Sequence, residues 1–193
     1  MAVKIIGGAC RGFSLATPRS DTTKPTSVLV KRKLFDWRQN LEGMIFVDLC
    51  AGSGAMGFEA LSRGAEKIIL NDSMKGAFLT MKDNREAMVK AFKFDASRIT
   101  ITNIDAIHWV KKEMSYQLTD TEDVILYLDP PYENHVLYMD LLKHLTEAGF
   151  AGQIWLESDK LKGPKAENLT GAFRSVIKTV DHGDHFVVVG KLI

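Results

Sequence analysis

The sequence predicts an α/β fold: a Rossmann-like, doubly wound and mostly parallel sheet that ends in an antiparallel hairpin. Three observations carry this. Segments such as Met44-Ile-Phe-Val-Asp-Leu and Val124-Ile-Leu-Tyr-Leu are continuous apolar runs, the pattern of strands covered on both faces. Each is followed by a longer segment of helical period, and the alternation persists from residue 44 to residue 157. The chain then departs from it, because residues 173–180 and 185–192 face each other across Asp181-His-Gly-Asp.

Taken in order, Val3-Lys-Ile-Ile and Phe13-Ser-Leu flank the glycine-rich turn Gly7-Gly-Ala-Cys-Arg-Gly, so a small hairpin opens the chain. Pro25 and Thr26 start a helix to about Arg38. Val30, Leu34 and Trp37 fall on one face of it, and Lys31, Arg32, Lys33 and Arg38 fall mostly off that face. Strands follow at 44–49, 67–71, 98–102, 123–128 and 152–157, with helices at 54–63, 74–92, 105–114 and 135–148 between them. Met81 and Met88 sit on the apolar face of helix 74–92, and Trp37, Trp109 and Trp155 occupy apolar positions, so all five are assigned to packing.

A chain of 193 residues, 46% hydrophobic and 25% charged, is long enough for one good core. No segment approaches the eighteen or so apolar residues of a membrane span, and the first residues lack the apolar stretch of a signal peptide. The expectation is a cytoplasmic monomer with no membrane partner. Cys10 and Cys50 are isolated and are expected to be reduced thiols. His182-x-x-His185 falls in a turn without a third ligand nearby, and no metal is expected.

The net charge of +1 conceals an asymmetry. Residues 1–38 hold eight bases against two acids, giving +6 and leaving −5 for the remainder. The sequence therefore divides into a basic N-terminal extension, 1–38, and an acidic body, 39–193. A basic, turn-rich extension suits a surface that grips phosphates, with Arg11, Lys24, Lys31, Arg32 and Lys33 as the candidate contacts.

Two motifs carry chemistry. Asp48-Leu-Cys-Ala-Gly52-Ser53-Gly54-Ala-Met-Gly57 places a glycine turn after a strand, where ligands bind in such sheets. Its Gly-x-Gly-x-x-Gly matches the dinucleotide fingerprint, and Asp72 stands about twenty residues on, so an NAD enzyme is one reading. Asp48 argues against it. Close to the binding mouth, it would repel a pyrophosphate yet could pair with the ammonium of a methionine moiety. Asp105 follows the next strand and could accept from an adenine amino group, or could simply cap the helix after it. With Asp129, four strand ends supply carboxylates, which suits a cationic cofactor without phosphate: S-adenosylmethionine.

The second motif is Asp129-Pro130-Pro131-Tyr132. An exocyclic base amine is a poor nucleophile because its lone pair is delocalised into the ring. The Asp129 carboxylate and the Pro130 carbonyl, both accepting from the amine hydrogens, would favour its pyramidal form. The prolines fix φ and hold these acceptors in place, while Tyr132 offers a face on which an unstacked base can lie.

Several stretches together resemble one family. Ile5-Ile-Gly-Gly-x-x-Arg11-Gly, Lys24-Pro-Thr26, Leu34-Phe35, the glycine block extended through Glu59-Ala-Leu-Ser-Arg-Gly64-Ala, and Asp129-Pro-Pro-Tyr are similar to the bacterial RsmD-type methyltransferases, in order from residue 4 to 132. The resemblance implies a class I S-adenosylmethionine-dependent methyltransferase acting on the N2 amine of a guanine in small-subunit ribosomal RNA. It implies cofactor contacts at Asp48, Gly52, Gly54, Asp72 and Asp105, with Ser53 in the same turn and Asp129 at its edge. Target-base contacts fall at Asp129, Pro130 and Tyr132, beside Pro131. The partner would be ribosomal RNA or a small-subunit assembly intermediate. The sequence departs from the family where Val28 and Leu29 replace an acid and an arginine and Arg32 replaces a glutamate. Two other readings stay open: an amino methyltransferase for DNA adenine or protein glutamine, and a catalytically silent RNA-binding protein.

Overall fold

The computed structural model describes residues 2–18, 28–118 and 121–192. Lys24 and the Pro25-Thr26 helix start lie outside them. β1 (Ala2–Lys4) and β2 (Ser14–Ala16) form an antiparallel hairpin, followed by α1 (Val28–Trp37). Then come β3 (Ile45–Asp48), α2 (Ala55–Ser62), β4 (Lys67–Asn71), α3 (Lys75–Phe92) and β5 (Ile99–Thr102). α4 (Ala106–His108) passes through a π-turn at Trp109–Glu113 into α5 (Met114–Gln117), so this helical segment outruns its expected end. β6 (Val124–Leu128), α6 (His135–Glu147), β7 (Gln153–Asp159), a short α7 (Ala166–Thr170) that the sequence did not announce, β8 (Ser175–His182) and β9 (His185–Lys191) complete it.

Among the described residues seven strands form one sheet in the order β5-β4-β3-β6-β7-β9-β8. The first five are parallel; β9 runs antiparallel to both neighbours. The doubly wound sheet with its terminal hairpin agrees with the sequence. One order was not legible: β9, the last strand, inserts between β7 and β8. Strand order reverses between β3 and β6, so their carboxyl ends flank the crevice where such sheets bind ligands.

Side chains alternate between two cores. Phe46, Ile68, Leu70, Ile125, Tyr127, Trp155, Val187 and Val189 face α1, α2 and α3. Val47, Ile69, Leu126, Leu128, Ile154, Leu156 and Val188 face α5, α6 and α7. The N-terminal segment joins the first core through Ile5, Cys10, Leu15, Val30, Leu34 and Phe35, all buried. Trp155 makes edge-to-face contacts with Phe35 and Phe46, each centroid 5.7 Å away. Such pairs add about 0.5–1.5 kcal/mol beyond area burial.

A buried ion cluster completes this docking and corrects one expectation. Glu59, fully buried on α2, accepts from the Ile6 amide (2.8 Å) and Arg63 Nε (2.8 Å), and Lys31 Nζ lies 3.4 Å from it. Lys31 also donates to the Lys4 carbonyl at 3.2 Å, and its side chain is only 2% exposed. It is therefore not a phosphate contact but, with Arg63, one of two cations paired with Glu59. Burial lowers its pKa, and Glu59 partly offsets this. Helical period placed Lys31 off the apolar face of α1, but that helix is covered on a second side by the hairpin. Arg11 is exposed as expected, yet it is not brought to the mouth. Its turn packs on the last residue of α2 through Ala9 N to Ser62 O (2.8 Å) and Cys10 N to Ser62 Oγ (2.9 Å), the end of α2 away from the glycine turn. Arg32 and Lys33 are exposed, and Lys33 Nζ donates to the Asp181 carbonyl at 2.8 Å, at the mouth end of β8.

Candidate active site at the carboxyl edge of the sheet

The glycine turn leaves β3 and doubles back into α2. Gly54 has φ 79°, and a Cβ there would lie 2.7 Å from the Phe58 ring and 2.9 Å from Leu70, so backbone conformation and packing both demand glycine. Gly52 has φ 54° and a Cβ there would meet nothing within 4 Å, which leaves that face of the turn open for a ligand to approach. The turn is braced on three sides. Ala51 N donates to the Asn71 carbonyl at 2.9 Å, Gly52 N donates to Asp72 Oδ2 at 2.8 Å, and Asn84 Nδ2 donates to the Ser53 carbonyl at 3.0 Å. Asn84 also holds both backbone groups of Ala16, which ties the hairpin to the turn.

Asp48, Asp72, Asp105 and Asp129 all converge on this mouth. Cys50 lies among them. Burial pushes its thiol well above the ordinary range, and Asp48, Asp129, Asp72 and Asp105 in turn push it further. The four carboxylates have different local duties. Asp72 spends one oxygen on Gly52 N and the other on Met74 N, each at 2.8 Å, so it organises the turn and the start of α3, with second lone pairs left over. Asp105 is exposed and caps α4, accepting from His108 N at 3.0 Å, so its capping role is present in the structure. Asp129 is half-buried at the end of β6. Asp48 differs from these. It is 1% exposed, and Oδ1 has no hydrogen-bond partner among the described residues. Burial, then the neighbouring Asp72, raises its pKa well above the usual carboxylate range, partly offset by the Cys50 amide and raised again by Glu157. A buried carboxylate oxygen left without a partner is costly unless a cation meets it, and the ammonium of S-adenosylmethionine fits that need.

Beyond Asp129, Pro130 is buried and its carbonyl accepts from Tyr138 Oη at 3.0 Å, so one lone pair is committed and the other remains. Pro131 is exposed and Tyr132 half-buried. The Tyr132 hydroxyl is anchored: it lies 3.1 Å from Glu157 Oε1 and 3.1 Å from His185 Nδ1. Burial, with Asp129 and Glu157 behind it, keeps this phenol protonated. Glu157 accepts a very short hydrogen bond from Tyr127 as well, and burial raises its pKa to about 7 against the pull of both tyrosines. Sequence reasoning missed Glu157, Tyr127 and His185. A signal was present, since Glu157 ends the apolar run Ile154-Trp-Leu as Asp48 and Asp129 end theirs. His185 belongs to β9 and faces Tyr132, with ring centroids 5.7 Å apart.

Comparison with known proteins decides the family. The family described as Conserved hypothetical protein 95, the RsmD family, matches residues 3–175. The chain belongs to this family. YlbH of Bacillus subtilis, named as a candidate rRNA methyltransferase, is 32% identical over 163 residues, 77% of this chain and 79% of that protein. Ribosomal RNA small subunit methyltransferase D of Escherichia coli K12 is 30% identical over 139 residues, 70% of this chain and 63% of the relative's length. Among solved structures, the Thermus thermophilus 16S rRNA N2 G1207 methyltransferase RsmC, in complex with AdoMet and guanosine, superposes with a TM-score of 0.66 at 16% identity, covering 99% of this chain and 49% of that one. This RsmD-family chain is a methyltransferase by family, and its fold is that of the class I methyltransferases. No described helix is long and apolar enough to cross a membrane.

Proposed function

We propose that this RsmD-family protein methylates the exocyclic N2 amine of a guanine in small-subunit ribosomal RNA. The observation that carries the proposal is the convergence of two half-sites at the β3/β6 switch point: an acidic cofactor mouth holding an unpartnered Asp48 oxygen, and the Asp129-Pro-Pro-Tyr132 loop beside it. Its family relatives bear rRNA methyltransferase names, and RsmC, which shares the fold, is named for an N2 guanine product.

S-adenosylmethionine, when bound, supplies an electrophilic methyl group. Asp48 would hold its ammonium, Asp72 its ribose hydroxyls and Asp105 its adenine amine, around the open face of Gly52 and beside Ser53 and Gly54. Asp129 accepts a hydrogen bond from the target amine and draws its lone pair out of the ring. The remaining lone pair of Pro130 O accepts the second. The amine sheds one proton in the exchange, and the Asp129 carboxylate is the group placed to take it. Rigid acceptors of this kind need no reorganisation at the moment of reaction. Proximity supplies much of the remaining acceleration.

A second reading, an amine on another substrate, has one observation in its favour. Val28 and Leu29, at the family's polar positions, are 50% and 45% exposed, so the surface of α1 differs from a typical relative's. The experiment that separates the readings incubates the protein with labelled S-adenosylmethionine and, in parallel, small ribosomal subunits, naked ribosomal RNA, DNA and total protein. N2-methylguanosine in the ribosomal RNA, found by nucleoside mass spectrometry, is the expected product. Label on adenine or glutamine instead overturns the proposal.

A further inference from the structure

Glu157 is an expensive residue where it stands. It stands towards the carboxyl edge of β7, one residue beyond the last β6 pairing and opposite Val187 of β9, and is 0% exposed. Burying a carboxyl costs several kcal/mol unless every lone pair is served. On its strand it shares a face with Trp155, and at neighbouring positions that face carries apolar or aromatic side chains. Fold stability alone would be met by another apolar residue there. The carboxyl is instead served by Tyr127 from β6 and by Tyr132 from the Asp129-Pro-Pro-Tyr132 loop. His185 Nδ1 stands 3.8 Å from Glu157 Oε1 and 3.1 Å from the Tyr132 hydroxyl. His185 reaches this place because β9 is antiparallel, so its first residue lies at the carboxyl edge, opposite Asp159.

From this geometry we infer that Glu157 and His185 are positioning residues: together they grip the Tyr132 hydroxyl from behind and fix its ring in the orientation that receives the target base. The inference rests on the reading that Tyr132 stacks that base. The grip has two proton arrangements. With Glu157 ionised, Tyr132 donates to Glu157 Oε1 and accepts from His185 Nδ1–H. With Glu157 protonated, it accepts from Glu157 and donates to His185 Nδ1. The charged arrangement holds the ring more firmly, since a hydrogen bond to a carboxylate is stronger than one between neutral groups. The ionisable groups around the pair are Asp48 from β3, Tyr127 from β6, Asp129 from the loop, Tyr138 from α6, whose hydroxyl lies 3.1 Å from the Glu157 carbonyl, and His185 itself. Ring capture should therefore strengthen as pH rises through neutrality.

The test begins without substrate. In full-length protein carrying ring-¹³C tyrosine, the Tyr132 signal, assigned by its loss in Tyr132→Phe, is expected to shift with pH around 7. It should stay fixed in Glu157→Gln, which keeps the shape and one acceptor. If the shift persists in Glu157→Gln and disappears in His185→Asn, Glu157 is not the controlling group and the proposal fails. In steady-state methylation of ribosomal RNA, Tyr132→Phe and Glu157→Gln should each raise the RNA KM about tenfold, the scale of one lost charge-assisted hydrogen bond, with cofactor Kd unchanged. The pH dependence of that KM should be lost in Glu157→Gln. A Tyr132 signal that responds as expected while the RNA KM stays put overturns Tyr132 as the base platform; an unresponsive signal overturns the grip itself, whatever the substrate.

Discussion

Replacing Asp72 with alanine tests the cofactor half of the site and its scaffold in one variant. The change strips the acceptor from two backbone amides, Gly52 N and Met74 N, each 2.8 Å from a carboxylate oxygen. A hydrogen bond to a charged group contributes roughly 1.5–3 kcal/mol. Asp72 is 8% exposed at an open mouth, so water can rescue part of one amide, and the expected net loss is about 2–3 kcal/mol, near the value of a single bond. For a chain of this size each kcal/mol lowers Tm by roughly 2–4 °C, so a fall of about 5–10 °C should appear in a thermal scan. Loss of the ribose acceptor adds a separate penalty to binding of about 1.5–3 kcal/mol, or roughly tenfold to hundredfold in Kd. Calorimetric titration with S-adenosylhomocysteine, well below the variant's melting range, isolates this second effect. Asp72→Asn keeps one acceptor oxygen and should fall between. A variant that melts lower but binds with undiminished affinity makes Asp72 a loop brace only and removes it from the cofactor site. If neither quantity moves, the account of the turn itself is wrong.

Four further outcomes follow from the same geometry. Asp129→Ala should abolish methyl transfer while S-adenosylhomocysteine affinity holds; single-turnover activity near wild type would refute the amine-acceptor role. Neutralising Arg32 and Lys33 together should weaken RNA binding at every sequence and reduce the slope of log K against log salt by roughly 0.7–0.9 per lost contact, whereas Lys31→Met should leave the slope unchanged. Glu59→Ala strands Lys31 and Arg63 in the interior and should cost about 3–5 kcal/mol in denaturant unfolding, the scale for removing one partner of a buried ion pair; a loss under 1 kcal/mol would show that the cluster is hydrated. Glu157 binds its proton more tightly when folded, with a pKa of about 7 against 4.5 in the unfolded chain, so wild-type stability relative to Glu157→Gln should be highest below pH 4.5 and fall by about 3 kcal/mol as pH rises to 7.

Legibility in the sequence followed from what kind of signal each feature leaves. Continuous apolar runs fixed the parallel strands because both their faces are covered, and Gly54 was visible because a left-handed turn against Phe58 and Leu70 tolerates little else. The four strand-end acids were legible as a group, since one periodic position repeats along the chain. Individual duties were not. Asp72 and Asp105 hold amides that lie two or three residues on or in another turn, and only coordinates show which lone pairs remain. Lys31 was misassigned because helical period knows one apolar face, and the hairpin that covers the second face folds back from residues 2–16. Glu157 and His185 were missed because their partnership depends on β9 inserting beside β7, a pairing of strands whose order leaves no local trace in the sequence.

That insertion also sets an order in time. The residues proposed for the cofactor lie between 48 and 129, on parallel strands joined by helical crossovers that can close as the chain emerges from N- to C-terminus. The proposed target-base side waits for β9, which starts at His185. Until then β7 is an uncovered sheet edge carrying Ile154, Trp155 and Leu156, an invitation to non-native pairing. On the proposed reading, a nascent chain thus carries the residues of the cofactor mouth before those that hold Tyr132. β9 both covers the β7 edge and brings His185 within 3.1 Å of the Tyr132 hydroxyl.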